Sequence, residues 1–308
     1  MTYDLIIVGA GPAGITAGIY ASRKKLKTLL ICKDFIGQVG TAFLVENYPG
    51  FESIRGLDLA EKFRKHLEKF EISIEQGQKV TCIKKEDGIF LIKTDKDKSY
   101  SAKAIIIATG RDPRPLEVPG EKEFLGKGVS YCTTCDGPLF SGKKVAVIGG
   151  GNSAFGAALE LSRYCKEVYI LELGLKPIAD EILQEKVEKT ENIRLLLGIK
   201  TTAIKGSKFV ESLVLENVES KKQEQLIIDG VFIQIGYIPA TGFVKDLVDF
   251  SQRDEIIIHP NTCSTKTPGL FAAGDVSDIP VKQIVTAAAE GAKAALSAYK
   301  YIQDISNE

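Results

Sequence analysis

The sequence predicts an α/β fold containing two nucleotide-binding units of the Rossmann type, each a three-layer arrangement around a parallel sheet. Two observations carry this. A short apolar run leads directly into Gly9-Ala10-Gly11-Pro12-Ala13-Gly14, then into helical spacing and a second apolar run. The same order returns at Gly149-Gly150-Gly151-Asn152-Ser153-Ala154. A third observation divides the chain: residues 111–120 and 236–242 are rich in proline and glycine and read as linkers.

In order, residues 4–8 read as a buried parallel strand, residues 15–23 as a helix and residues 28–32 as the next strand. The G-x-G-x-x-G spacing between them fits a dinucleotide site. Gly9 permits the tight turn, Gly11 lets the backbone approach a pyrophosphate, and Gly14 lets helix and strand pack closely. The helix N-terminus then faces the phosphates. The second strand ends at Cys32-Lys33-Asp34, so the acidic residue expected on a ribose hydroxyl stays open, with Asp34 as the candidate. Residues 57–70 carry one apolar helical face of Leu57, Ala60, Phe63, Leu67 and Phe70. Residues 79–84, 88–94 and 103–108 read as strands of a smaller antiparallel sheet and its return, closed by Thr109-Gly110.

In the second copy, residues 144–148 are a strand, 155–164 a helix and 167–172 the following strand. Glu172 closes that strand about 20 residues past the glycine turn, where an acidic residue holds a ribose 2′-hydroxyl. A carboxylate there repels a 2′-phosphate, and Leu173-Gly174-Leu175-Lys176 supplies no arginine fork for one. The second site therefore reads as NADH in preference to NADPH. Later, residues 270–275 read as a buried strand ending in Gly274-Asp275, and residues 283–302 as one long amphipathic helix.

Cys132-Thr133-Thr134-Cys135-Asp136 lies between the first linker and the second glycine turn. Two cysteines at this spacing can close and reopen a small disulfide ring. At a helix start the dipole would favour the thiolate that attacks another disulfide. Asp136 could offer a proton to a leaving thiolate. The spacing alone leaves three readings open: a redox pair, half of a zinc site, or two unrelated buried cysteines. Cys32, Cys82, Cys165 and Cys263 form no second pair, and neither His66 nor His259 is near in sequence, so no metal is expected.

Composition narrows the function classes. With 308 residues and 44% hydrophobic content the chain can bury a sizeable core. Lys plus Arg and Asp plus Glu are both 40, without the basic excess of a nucleic-acid-binding surface. No apolar run reaches the length of a membrane span, and the N-terminus lacks the charged region of a signal peptide. Six cysteines without an export signal point to a reducing, cytoplasmic compartment.

Taken together, residues 9–14, Val45-Glu46-Asn47-Tyr48-Pro49-Gly50, Ala108-Thr109-Gly110, residues 132–136, 149–154 and 271–275 resemble low-molecular-weight thioredoxin reductases in type and order. The resemblance runs from about Tyr3 to the last helix, and Cys132-Thr133-Thr134-Cys135-Asp136-Gly137 is its most specific piece. A narrower resemblance, to the reductase portion of the F component of alkyl hydroperoxide reductase, runs through Leu171-Glu172 to Ala179-Asp180, Gln234-Ile235-Gly236, residues 255–258, Lys282-Gln283-Ile284 and Glu290-Gly291-Ala292-Lys293. That relative uses NADH and carries extra N-terminal thioredoxin-like domains, which this chain is expected to lack. Reductases of the family that use NADPH carry a His-Arg-Arg cluster where this chain has residues 172–176. The paired acidic residues usual after the second glycine turn are replaced by Gly156-Ala157-Ala158, and Gly37-Gln38 replaces a double glycine.

The resemblance implies FAD in a discontinuous domain of residues 1–114 and 246–308. NADH and the dithiol then belong to an inserted domain of residues 115–245. It implies that Cys135 faces the flavin, Cys132 attacks the partner disulfide and Asp136 protonates. Gly9, Gly11, Pro12, Ala13, Gly14, Gln38, Asn47, Val80, Thr109, Gly110, Gly274, Asp275 and Gln283 would line FAD. Gly149, Gly151, Asn152, Ser153, Glu172 and Gly236 would line NADH. The partner would be a small thioredoxin- or glutaredoxin-like protein, and the assembly a homodimer, with neither nucleic acid nor membrane as a partner. Because the dithiol and the second nucleotide turn share one insert, the two linkers are expected to act as hinges between two domain orientations. The rival readings are a ferredoxin-linked reductase, a flavin redox sensor and a peroxide-forming NADH oxidase.

Overall fold

A computed structural model describes residues 2–42 and 45–306. The chain forms two compact units: Met1–Asp112 with Ile238–Glu308, and Pro113–Tyr237. The second crossing thus falls between 237 and 238 rather than between 245 and 246. Residues 240–248 hold to the first unit: Ala240 N donates to Gly110 O, Ile83 N donates to Phe243 O, and Val244 and Val248 are buried in its core. The first crossing falls at 112–113, two residues before the expected 114.

In the first unit β1 (Thr2–Val8) runs into α1 (Pro12–Arg23) and β2 (Thr28–Cys32). Then follow α2 (Gly37–Thr41), α3 (Gly56–Leu67), β3 (Ser73–Gln76), β4 (Val80–Glu86), β5 (Ile89–Thr94) and β6 (Ser99–Ile107). β7 (Arg111–Pro113) begins the first crossing. Leu5, Ile6, Ile7 and the whole of β2 are buried, as a parallel strand covered on both faces requires. Pro12 opens α1, where its missing N–H costs nothing.

The second unit holds β8 (Val129–Ser130), α4 (Thr133–Asp136), β9 (Lys144–Ile148), α5 (Asn152–Leu161), β10 (Glu167–Glu172), α6 (Glu181–Glu188) and β11 (Ile193–Leu197). It continues through β12 (Ile199–Gly206), β13 (Val210–Asn217), β14 (Gln223–Ile227), β15 (Gly230–Ile233) and the crossing strand β16 (Tyr237–Pro239), which pairs with β7. The first unit then closes with β17 (Leu270–Ala272) and α7 (Ile284–Ser306).

The first unit has one seven-stranded sheet, ordered β3-β2-β1-β6-β5-β4 with β17 also on β6. The hairpin β4–β5 is therefore not a separate antiparallel sheet, as expected from the pattern. The reason is the length of β6: its first residues pair antiparallel with β5, while Ile105–Ile107 pair parallel with β17. α7 crosses α1 so closely that a Cβ on Gly291 would lie 2.1 Å from Ala13 O. The second unit has a five-stranded parallel sheet, β11-β10-β9-β15-β8, and a three-stranded antiparallel sheet, β12-β13-β14, which the glycine and cysteine signals did not reveal. Helix α5 begins three residues before expectation because Gly151, not a later residue, is its N-cap. Among the described residues no helix is long and apolar enough to cross a membrane.

β1 and β9 occupy equivalent places. Each is flanked by its successor strand on one side and by a later strand on the other, so the order reverses beside it. In open α/β sheets that reversal leaves a crevice at the strand's carboxyl end. Both glycine turns sit there.

The core of the second unit gives a stability test. Phe232 is fully buried on β15 and meets Phe140 edge-on, with ring centroids 5.4 Å apart. Phe232→Ala is expected to cost about 3–5 kcal/mol. Phe209→Ala, at an exposed turn, should stay within about 0.5 kcal/mol. Thermal unfolding followed by circular dichroism compares the two; equal effects would contradict this packing.

Candidate active site

The first glycine turn is shaped by a neighbouring strand. A Cβ on Gly9, whose φ is +113°, would lie 2.2 Å from the carbonyl oxygen of Ala108, just past β6. Gly14 is pressed onto Gly9 O in the same way, at 2.0 Å from its Cβ position. Gly11 is different: no protein atom lies within 4 Å of its Cβ position. It is the N-cap of α1 and no side chain caps that helix, so the first N–H groups of α1 are left to a ligand or water. Pro12 and Ala13 form the first turn behind it.

The other expected first-site residues gather in the same unit. Gln38 Nε2 donates to Arg111 O at 3.1 Å and lies 3.8 Å from the Cβ position of Gly110. Asn47 Nδ2 donates to Gln283 Oε1 at 3.0 Å. Thr109 Oγ1 donates to Ala240 O at 2.9 Å. Val80 is buried at the start of β4, and the residues before it are bound to the end of β2 through Gly77 N to Lys33 O and Gln78 N to Cys32 O. Asp34 Oδ1 accepts from Ile36 N at 2.9 Å and Gly37 N at 3.0 Å, so that oxygen closes a turn. Beside it is a cavity of about 220 Å³ lined by Asp34, Phe35, Leu57, Arg64 and Gln76, among others.

Around Gly274 the structure gathers four residues beyond those expected to line FAD: Glu290, Arg111, Glu255 and Lys282. Glu290 Oε2 accepts from Gly274 N at 2.7 Å, and burial raises the Glu290 pKa. Arg111 Nη2 lies 2.6 Å and Lys282 Nζ 3.2 Å from Glu255 Oε1, and Arg111 Nε donates to Asp275 O at 3.0 Å. Burial pushes the Asp275 carboxyl above its ordinary pKa, against the pull of Arg111 and Lys282. A half-buried carboxyl of this kind can accept hydrogen bonds from hydroxyl groups. Arg111 and Glu255 are far apart in sequence and belong to no glycine motif, so only the fold reveals the cluster.

The second glycine turn repeats the first. A Cβ on Gly149, φ +131°, would lie 2.2 Å from Gln234 O, just past β15. At Gly150 the obstacle is the acidic residue itself: a Cβ there would meet Glu172 Oε2 at 2.2 Å. Glu172 Oε1 accepts from Gly174 N at 2.7 Å, which fixes the carboxylate over the turn. Gly151 caps α5 without a side-chain cap. Asn152 and Asp180 bond reciprocally, Nδ2 to Oδ2 at 2.9 Å and Asp180 N to Oδ1 at 2.7 Å, while Ser153 is exposed. Gly236 has open space at its Cβ position, and its carbonyl accepts from Arg114 N at 2.9 Å.

In the same unit Cys132 and Cys135 form a disulfide, with Cα atoms 5.3 Å apart. Cys132 is the N-cap of the single-turn helix α4, and its Sγ accepts from Cys135 N at 3.1 Å. Ser130, which no sequence motif singles out, bridges the pair to the acid: its Oγ donates to Asp136 Oδ2 at 2.6 Å and accepts from Cys132 N at 3.0 Å. The remaining cysteines are free thiols, Cys32, Cys165 and Cys263 buried and Cys82 half-buried. Burial pushes Cys32 up to about 12 and Cys165 and Cys263 up to about 11. Among the described residues no group of three or more His, Cys, Asp or Glu is arranged to hold a metal ion.

Comparison with known proteins agrees with this geometry. Residues 3–291 match the family described as pyridine nucleotide-disulphide oxidoreductase. The chain is 38% identical over 300 residues to the F component of alkyl hydroperoxide reductase from Staphylococcus aureus, covering 97% of this chain but 59% of that protein. It therefore spans somewhat over half the length of that relative. It is 40% identical to a 34.2 kDa protein in the rubredoxin operon of Clostridium pasteurianum, covering 97% of each. The fold is similar to that of thioredoxin reductase from Lactococcus lactis, with a TM-score of 0.92 and 39% identity over 98% of this chain and 99% of that one. With the glycine turns, the disulfide and these matches in one chain, it belongs to the pyridine nucleotide-disulphide oxidoreductase family, among the flavin disulfide oxidoreductases of low-molecular-weight thioredoxin reductase type.

Proposed function

We propose that the chain is an FAD-dependent disulfide reductase that takes electrons from NADH and delivers them through Cys132 and Cys135 to the disulfide of a small thioredoxin- or glutaredoxin-like protein. The observation that carries the reading is the closed Cys132–Cys135 disulfide in the same unit as a complete second glycine turn with Glu172 in place. A ferredoxin-fed reductase would have no use for that carboxylate.

The first turn fits FAD. The open space at Gly11 and the uncapped start of α1 suit a pyrophosphate, and half-buried Asp275 suits a ribityl or phosphate-linked hydroxyl. When bound, FAD supplies the two-electron hydride chemistry. What remains falls to the chain's own residues. Gly11, Gln38, Asn47, Thr109, Gly110 and Gln283 orient the cofactor, and Glu172 takes the adenosine ribose of NADH. Cys132 attacks the partner disulfide, Cys135 then attacks Cys132 Sγ to release the reduced partner, and Asp136 gives the leaving thiolate its proton. Ser130 holds Asp136 at the base of the pair. A homodimer and a cytoplasmic setting accompany this reading.

NADH is expected to give the higher kcat/KM, because a 2′-phosphate would meet Glu172. One such contact is worth about 1–3 kcal/mol, so the preference should be roughly tenfold to a hundredfold. Glu172→Ala should narrow it. Equal use of the two nucleotides by the wild type in a steady-state assay would sink the cofactor choice.

Cys132→Ser and Cys135→Ser should each abolish disulfide reduction while NADH still bleaches the flavin. Only the variant that keeps Cys135 should show a long-wavelength thiolate–flavin band. Finding that band in Cys135→Ser instead would reverse the two roles.

Asp136→Asn should slow thiol–disulfide exchange with a thioredoxin and leave the KM for NADH unchanged. Stopped-flow exchange rates equal to wild type would remove Asp136 from the proton path.

A further inference from the structure

We propose that Glu160 is a positioning residue that sets the redox balance of the Cys132–Cys135 pair and makes its dithiol a stronger reductant. This rests on the reading of the pair as redox-active. Glu160 lies on α5 and is 4% exposed. Carboxylates are seldom so buried unless their charge is satisfied. Its Oε2 accepts from Thr133 Oγ1 at 3.0 Å and from Thr134 Oγ1 at 3.2 Å. Those two residues are the whole spacer between the cysteines. In the turn just after α5, Tyr164 backs the next part of the loop: a Cβ on Gly137 would lie 2.3 Å from its hydroxyl oxygen. Glu160 at the end of α5 and Tyr164 in the turn that follows it thus back successive parts of the redox loop.

The hydroxyl bonds are made with the disulfide closed. Reduction breaks the Sγ–Sγ bond, adds two electrons and two protons and leaves two thiols, one of which must ionise to act. Glu160 bears on both sides of that equilibrium. Hydroxyls bonded to a charged acceptor are held more firmly than to a neutral one, so the spacer is kept in the turn that suits the disulfide. In its ionised form Glu160 places a negative charge beside the loop, which opposes the build-up of thiolate. Both effects favour the oxidised pair, and a pair that favours oxidation gives its electrons away more readily. The helix that lacks acidic residues at Gly156, Ala157 and Ala158, beside the nucleotide turn, carries one instead against the dithiol.

The test measures the pair without turnover. The purified flavoprotein is equilibrated in mixtures of reduced and oxidised dithiothreitol, which closes its own ring disulfide for each protein disulfide opened. Alkylation and peptide mass then give the fraction of dithiol at Cys132 and Cys135. Glu160→Gln keeps an acceptor oxygen and removes the charge; Thr133→Val with Thr134→Val removes the donors. Each should shift the equilibrium constant toward the protein dithiol, Glu160→Gln by about tenfold, or about 30 mV for this two-electron couple. Glu160→Ala should shift it at least as far; if that variant fails to fold, the other two decide. Constants for Glu160→Gln and the double threonine variant both within about twofold of wild type would overturn the proposal, as would a shift toward the disulfide. A wild type inactive with NADH and every protein disulfide would remove the proposed function, yet this equilibrium would remain measurable, so the two failures are distinct.

Discussion

Two backbone carbonyls, those of Ala108 and Gln234, determine where the nucleotide chemistry can lie. Each leaves the end of a strand that pairs with the first strand of its unit, and each presses on the glycine that follows that first strand. A side chain at Gly9 or Gly149 would collide with backbone, which cannot swing aside as a rotamer can, and the positive φ would add a strain of about 1–3 kcal/mol. The contact draws the turn down onto the sheet at the point where strand order reverses. The helix that follows then starts at the mouth of the crevice with its N–H groups facing outward. Gly11 shows what the arrangement is for: with no protein atom within reach of its Cβ position, the absence of a side chain there serves something other than packing.

In the second unit one helix joins two sites. α5 starts at the glycine turn, where Gly151 caps it, and at Glu160 it receives the hydroxyls of the cysteine spacer. Between those points its buried face is Ala154, Phe155, Ala157, Ala158 and Leu161, which seat it on the parallel sheet. A helix so seated is a stiff ruler, and it fixes the dithiol loop relative to the second nucleotide turn within the unit. The dithiol loop itself has little regular structure. α4 is a single turn, and its order comes from Cys135 N on Cys132 Sγ, Ser130 beneath Asp136, and Glu160 beneath the threonines.

Much of this was legible in the sequence because it depends on local pattern. Both strand–turn–helix units, Glu172 at the end of β10 and the Cys132–Cys135 pair follow from spacing of a few residues. What escaped depends on contacts between distant positions or on elements with weak signals. Glu160 looks like any charged residue in an amphipathic stretch, and only the return of the cysteine loop onto α5 gives it meaning. Arg111, Glu255 and Lys282 meet from three separate segments. The strands β12 to β14 carry mixed polar and apolar residues and no glycine signature, so their antiparallel sheet left no period strong enough to read. The second domain boundary lies at 237–238 rather than 245–246 because Phe243, Val244 and Val248 pack into the first unit, a long-range contact that the local pattern of residues 236–242 does not show.

The six cysteines sort themselves by environment, and the sorting explains why one pair can carry redox chemistry in a chain with four other thiols. Nucleophilic attack on a disulfide needs thiolate. Cys165 and Cys263, held near 11, would be ionised in only about one molecule in ten thousand at neutral pH, and Cys32, near 12, in fewer still. Apolar packing thus silences three of the four. Cys132 and Cys135 stand at the start of a helix on a half-exposed loop, with hydroxyls and a carboxylate around them instead of core side chains. Polar surroundings, not the number of cysteines, suit that loop to exchange chemistry, and the same surroundings give the fold a means to adjust how strongly the pair holds its electrons.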